Sequence, residues 1–242
     1  VVIVSCLIVT IVNGGIFFTF TIFVNPLEAH FDWSRSQVSL AFTVMLLTYV
    51  PGSILLGRLA DRRGPRRATA VAAVTIGLGF AMASRIEDLT LLLVAYGIIG
   101  FGTGATFTVP AAATQRWFEK RRGLMMGIVV AGAGAGGLFA PITEGFITNY
   151  GWANAFLLLS GLFGVSLAVA VVGALNAPER IGLRPYGQAG EGASPSQGQG
   201  SGFATGEAFR LPAFWSLMAI IVLVMSPFLF ITAHLDPLAT AR

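Results

Sequence analysis

The sequence predicts an all-α polytopic membrane protein, with six spanning helices in one bundle, a linker, and one further span. Three observations carry that reading. First, 55% of the 242 residues are hydrophobic and only 11% are charged, and the mean hydropathy is +0.79. A soluble domain carries roughly 25% charged residues. This chain lacks the polar surface of a soluble enzyme, a nucleic-acid binder or a disordered regulator. Second, the apolar residues gather in stretches near the ~20 residues that cross a bilayer. Third, the basic residues between the stretches alternate in side.

The stretches run 1–24, 37–57, 68–84, 89–113, 123–143, 152–175 and 213–234, and none contains a charged residue. Lipid offers backbone groups no partner, so each stretch is expected to be a helix. A β-barrel would show short alternating segments instead. The chain opens with Val inside the first apolar run. No charged n-region or small-residue cleavage site is visible, so the start reads as a first span with its leader missing rather than a signal peptide.

Orientation follows from the loops. Arg58, Arg62, Arg63, Arg66 and Arg67 lie between spans 2 and 3. Arg116, Lys120, Arg121 and Arg122 lie between spans 4 and 5, and Arg180, Arg184 and Arg210 follow span 6. That places 12 of the 15 basic residues on one side. The opposite loops hold Arg35, Arg85 and Arg242 beside Glu28, Asp32, Glu87, Asp88 and Glu144. Basic residues collect in cytoplasmic loops, so the N-terminus is expected in the cytoplasm. The same rule explains the net charge of +4 without any nucleic acid.

Residues 176–212 differ in kind. They include the Gly-, Ser- and Gln-rich QAGEGASPSQGQGSG, a flexible linker composition. The expected organisation is a six-span bundle over 1–175, a cytoplasmic linker over 176–212, and the first span of a second bundle over 213–242. Six spans, a linker and one lone span suggest a truncated chain whose second half is missing.

The loop after span 2 reads Gly57-Arg58-Leu59-Ala60-Asp61-Arg62-Arg63-Gly64-Pro65-Arg66-Arg67. Gly57 and Gly64 permit close approach or tight turning. Asp61 can serve a helix N-terminus or pair with an arginine. Arg62, Arg66 and Arg67 hold the loop on its side. This loop, at this place, resembles the loop between spans 2 and 3 of the major facilitator superfamily. The resemblance implies a loop that latches and gates two halves without touching substrate. Phe31-Asp32-Trp33-Ser34-Arg35-Ser36-Gln37-Val38-Ser39, Arg116-Trp117-Phe118-Glu119-Lys120-Arg121-Arg122-Gly123, Gly182-Leu183-Arg184-Pro185 and His234-Leu235-Asp236-Pro237-Leu238-Ala239 are similar to the branch holding oxalate/formate antiporters and bacterial relatives of monocarboxylate transporters. The resemblance implies secondary transport of a small organic anion, by proton symport or anion exchange, in a prokaryotic inner membrane. It departs at Tyr96, where many members carry an arginine, at the uncharged span 1, and at Ala153 after Trp152.

Transporters of this architecture bind substrate near the midplane, between two halves. The spans marked here hold no fixed charge, so an anion's counter-charge is expected from the second half. Neutral donors and aromatic surfaces remain as candidates. Thr10, Asn13, Phe17, Phe20 and Thr21 share a face of span 1. They form a pocket or gate, or they serve helix packing. Tyr96, Gly100, Thr103, Phe107 and Pro110 share a face of span 4. There Thr103 and Thr106 either donate to a carboxylate or bond back to their own helix. Tyr49 in span 2 sits beside Pro51-Gly52. Gly132, Gly134 and Gly136 in span 5 are expected to pack helices closely. They lack the strand and lysine of a phosphate loop.

No enzyme is expected, and no catalytic residue, because no acids, bases or metal ligands cluster at one depth. His30 and His234, without a cysteine cluster, make no metal site, and no cofactor is implied. His234 with Asp236 reads as an outer gate, a proton relay or an interfacial cap. Cys6 reads as an apolar residue without a redox role. A sensor or assembly subunit on the same fold, or a transporter of an unrelated solute, stays open.

Overall fold

The computed structural model describes residues 2–173, 211–220 and 223. The chain divides into two compact units, Val1–Gln188 and Ala189–Arg242. In the second unit the described residues are helical at 212–220 and 223. Residues 174–210, His234 and Asp236 lie outside the described residues, and so does nearly all of the expected linker.

The first unit is built from helices: α1 (Val2–Phe31), α2 (Arg35–Arg63), α3 (Pro65–Ala83), α4 (Leu89–Thr103), α5 (Ala105–Trp117), α6 (Arg122–Ala135) and α7 (Phe139–Gly173). Gly136–Leu138 forms a 3₁₀ turn between α6 and α7. No strand occurs among the described residues. Segments 2–31, 35–63, 89–117 and 122–173 are long and apolar enough to cross a membrane. The last holds 52 residues, about 78 Å of helix at 1.5 Å per residue. That length suits two crossings of a hydrocarbon core about 30 Å thick. Gly151 separates them, with φ 79° and ψ 163° inside α7, a conformation that suits glycine.

The helices outrun the apolar stretches at their ends. α1 continues to Phe31 through Pro26. α2 continues through Arg58, Asp61, Arg62 and Arg63. Arginine is a good helix former once past the hydrocarbon, so the loop expected over 57–67 is helix except for one residue. Gly64 alone makes the turn at φ 94°, and Pro65 opens α3, where its missing N–H costs nothing. Span 4 is interrupted at Gly104, although its φ −54° and ψ −29° stay helical.

The short connections at the acidic end have visible causes. Asp32 adopts φ 57° and turns the chain between α1 and α2. Ser34 then caps α2: its Oγ accepts from the Gln37 N–H at 3.3 Å, and Gln37 Oε1 accepts from the Ser34 N–H at 2.8 Å. This reciprocal pair satisfies two otherwise unpaired donors. Asp88 caps α4, accepting from the Leu91 N–H at 2.6 Å.

Inside the unit, α1 is central. Phe23 stacks on Phe156 of α7 at 3.7 Å, and Phe80 of α3 and Phe163 of α7 extend that cluster. The Ser160 hydroxyl donates to the Gly77 carbonyl at 2.8 Å, tying α7 to α3. Elsewhere glycine sets the spacing. A Cβ at Gly14 would overlap the Ala133 carbonyl, and one at Gly136 would overlap the Gly14 and Gly15 backbone. Across α2 and α4, Gly52 faces the Phe101 carbonyl and Gly100 faces the Met45 carbonyl. Helices in lipid have no hydrophobic drive to associate, so close backbone contact supplies the attraction.

Candidate functional site

A subset of the polar groups of the spans meets at mid-depth. Phe17 lies near the middle of α1, Tyr49 at the middle of α2, and Thr103 at the middle of 89–117. There the Asn13 side-chain amide donates to the Thr106 hydroxyl at 2.8 Å. The Thr106 hydroxyl in turn donates to the Thr103 carbonyl at 2.6 Å. The Tyr49 hydroxyl of α2 lies near the same amide. The Asn13 amide therefore bonds α1 to α5 beside α2. Asn13 is 7% exposed, so its hydrogen bond offsets a burial that would otherwise be costly.

An aromatic surface adjoins this linkage. Phe17 meets Tyr49 at 6.2 Å and Phe42 at 6.0 Å, both edge-on. Phe20 meets Phe42 at 4.9 Å and Tyr96 at 5.3 Å. Phe17, Phe42 and Tyr49 are half-buried, whereas Phe20 is buried.

Among the residues singled out from the sequence, Asn13, Phe17, Phe20 and Tyr49 come together here. Tyr96 and Thr103 do not reach the surface of the unit, being 2% and 0% exposed. Tyr96 packs on Phe20 and Phe156. The Thr103 hydroxyl donates to the Ile99 carbonyl at 2.7 Å, which satisfies it within its own helix. Phe107 is half-buried on α5. Thr10 and Thr21 also bond back to their own helix.

Thr106, read from the sequence together with Thr103, receives the Asn13 bond. Phe42 was not selected from the sequence; it completes the aromatic surface, and its spacing from Tyr49, two helical turns, was the available clue.

A second arrangement lies at the basic end. Asp61 of α2 accepts from Arg116 of α5 at 2.7 Å. Asp61 thus pairs with an arginine from a distant helix. Arg62, Arg66 and Arg67 are exposed. Gly64 makes the turn, but a Cβ at Gly57 would meet nothing within 4 Å, so Gly57 makes no close approach in this unit. In α6 a Cβ at Gly132 would overlap the Thr10 hydroxyl, and Gly136 packs on α1. Gly134 faces away, with nothing within 4 Å of its Cβ position, and so takes no part in that packing.

Two clefts also open at the basic end. One, with about 310 Å³ of empty space, is lined by Ser5, Cys6, Pro65 and Pro110 among others. The other, about 290 Å³, lies beside Asp61, Arg116 and Trp117. None of the mid-depth residues lines either one. Cys6 is a buried free thiol whose Sγ sits 3.8 Å from the Pro110 carbonyl. No group of three or more His, Cys, Asp or Glu that could hold a metal occurs among the described residues.

A multi-pass bundle of apolar helices, with a polar bond at mid-depth and its charges at the ends, defines an integral membrane protein. The model of the Major Facilitator Superfamily matches residues 6–240, and the chain belongs to that superfamily. It is 32% identical to monocarboxylate transporter 13 of Rattus norvegicus over 166 residues, covering 68% of this chain and 38% of that one. It is 24% identical to the oxalate:formate antiporter of Oxalobacter formigenes over 205 residues, 84% and 47% of the two chains. It is 29% identical to the riboflavin transporter RibJ of Trypanosoma cruzi over 184 residues, 73% and 39%. The chain therefore spans less than half the length of these relatives. The family points to a transporter and not to an enzyme.

Proposed function

We propose that the protein is a secondary transporter of a small organic anion that works by alternating access. Residues 1–175 supply one six-helix half, 176–212 a cytoplasmic linker, and 213–242 the start of a second bundle. The observation that carries this reading is the mid-depth Asn13–Thr106 bond with Tyr49, Phe17 and Phe42 beside it. Polar groups are costly at that depth and are kept where they serve a cavity or a partner helix. Relatives named for monocarboxylates and for oxalate and formate support the anion class.

In this reading Asn13 and Tyr49 hydrogen-bond the solute, and Phe17, Phe20 and Phe107 shape the space around it. Tyr96 and Thr103 support that wall from behind. The fixed positive charge that balances the anion comes from the second half. The Asp61–Arg116 pair, with Gly64, Arg62, Arg66 and Arg67, acts at the cytoplasmic gate. The excess of basic residues at that end supports a cytoplasmic N-terminus in a plasma membrane. Coupling is by proton symport or by anion exchange.

The test is uptake of radiolabelled oxalate, formate, lactate and pyruvate into proteoliposomes carrying the product of the complete gene. Each is measured with and without a pH gradient and with and without internal anion. Protein-dependent uptake of at least one supports the reading, and uptake of none refutes it. The similarity to a riboflavin transporter favours a second reading, transport of an uncharged or larger solute, which riboflavin uptake in the same vesicles would reveal.

A further inference from the structure

We propose that Phe42 is a specificity-determining residue of this site, forming with Phe17 an apolar wall that ranks carboxylates by their hydrocarbon body. The inference rests on the transport reading above.

Phe42 stands two helical turns before Tyr49 on α2, so both project from the same face. Its ring is held from two sides, edge-on by Phe17 at 6.0 Å and at a tilt by Phe20 at 4.9 Å. Phe20 is itself backed by Tyr96 at 5.3 Å. The rear of the wall is therefore buried, while Phe42 and Phe17 stay half-buried at its front. This front is distinct from the exposed apolar stripe of α2, formed by Leu47, Val50 and Ile54. On that face the Thr43 hydroxyl, one turn before Leu47, donates back to the Ser39 carbonyl at 3.4 Å, as suits a lipid-facing surface. The wall adjoins the Tyr49 hydroxyl and the Asn13 amide.

A solute placed there meets hydrogen-bonding groups on one side and fixed rings on the other. A carboxylate head suits the first, and a hydrocarbon body suits the second. Oxalate has two heads and no hydrocarbon, so the rings add nothing to its binding. Each buried methylene of a longer acid strengthens binding about fourfold. Rings held in one position cannot follow a shorter solute, so the gain depends on Phe42 remaining where it is.

The experiment uses the product of the complete gene in proteoliposomes, corrected for protein-free vesicles. Uptake of pyruvate, 2-oxobutyrate, 2-oxopentanoate and oxalate is measured for the wild type, Phe42→Ala, Phe42→Leu and Phe42→Trp. The quantity read is the ratio of kcat/KM between successive acids within one preparation, which is independent of the amount of folded protein. In the wild type the ratio is expected near fourfold per methylene. Phe42→Ala is expected to lower it below twofold, with Phe42→Leu between them. Phe42→Trp, which fills the space, is expected to reject 2-oxopentanoate while still carrying pyruvate. A wild type that shows no dependence on length, or that prefers oxalate, overturns the inference. So do variants that keep the wild-type ratio. Absence of any carboxylate uptake by the wild type overturns the anion reading and this inference with it. Carboxylate uptake with unchanged ratios overturns this inference alone.

Discussion

Asp61 and Arg116 stand 55 residues apart in the chain, yet Arg116 Nη2 lies 2.7 Å from Asp61 Oδ1. The pair joins the end of α2 to the end of α5 across the basic face of the unit. The Arg116 and Asp61 side chains are 44% and 59% exposed, so water and salt screen the pair. Asp61→Asn is expected to lower stability by no more than about 1 kcal/mol. If the pair belongs to a gate, transport falls far more than stability does. Uptake and the thermal midpoint in detergent, measured on one preparation, separate the two effects. The charge exchange Asp61→Arg with Arg116→Asp is expected to recover part of the uptake. An unaltered rate in Asp61→Asn would remove the pair from the gate.

Gly14 tests the packing of α1 on α6. A Cβ there would overlap the Ala133 carbonyl, a backbone atom that cannot turn aside. Gly14→Ala is expected to cost about 1–3 kcal/mol through forced backbone displacement. Gly134→Ala faces open space and is expected to change stability by no more than about 0.5 kcal/mol in the destabilising direction. Thermal midpoints of the two variants in the same detergent check the contrast.

The Asn13–Thr106 bond can be measured by a double-mutant cycle with Asn13→Ala and Thr106→Val. Hydrogen bonds between spans average about 0.6 kcal/mol and reach about 1.7 kcal/mol. The coupling is expected in the upper part of that range, because the Thr106 hydroxyl also donates to the Thr103 carbonyl. A coupling near zero would mean that the amide finds an equal partner elsewhere.

Tyr49 and Thr103 were both selected from the sequence, but the structure separates them. Thr103→Val is expected to leave KM unchanged, since that hydroxyl is buried and bonded to its own helix. Tyr49→Phe keeps the ring and removes the hydroxyl. It is expected to raise KM about 3- to 10-fold, the weight of one hydrogen bond of about 1 kcal/mol. Concentration-dependent uptake of whichever anion is carried distinguishes them.

How much could be read from sequence depended on how local each cause is. The spans of the first unit were legible because apolar length is a property of a stretch. Gly64 was legible as a turn because glycine tolerates its φ of 94°. The same rule overreached at Gly57, where nothing approaches. The Gly100 and Gly104 contacts with α2 carried a clue in their spacing, since small residues four apart mark close helix contacts. The Asp61–Arg116 pair carried none, because no periodicity links positions on different helices. Tyr96 and Thr103 show the limit for sites: a helical face can be drawn from sequence, but which part of it points to the core depends on Phe20 and Phe156.

The single-residue joint at Gly64 also bears on how the basic end can move. α2 ends at Arg63 and α3 opens at Pro65, with Gly64 alone between them. A link of one residue cannot lengthen, so the two helix ends travel together. A tilt of α2 that displaces Asp61 is therefore expected to carry Arg66 and Arg67 with it.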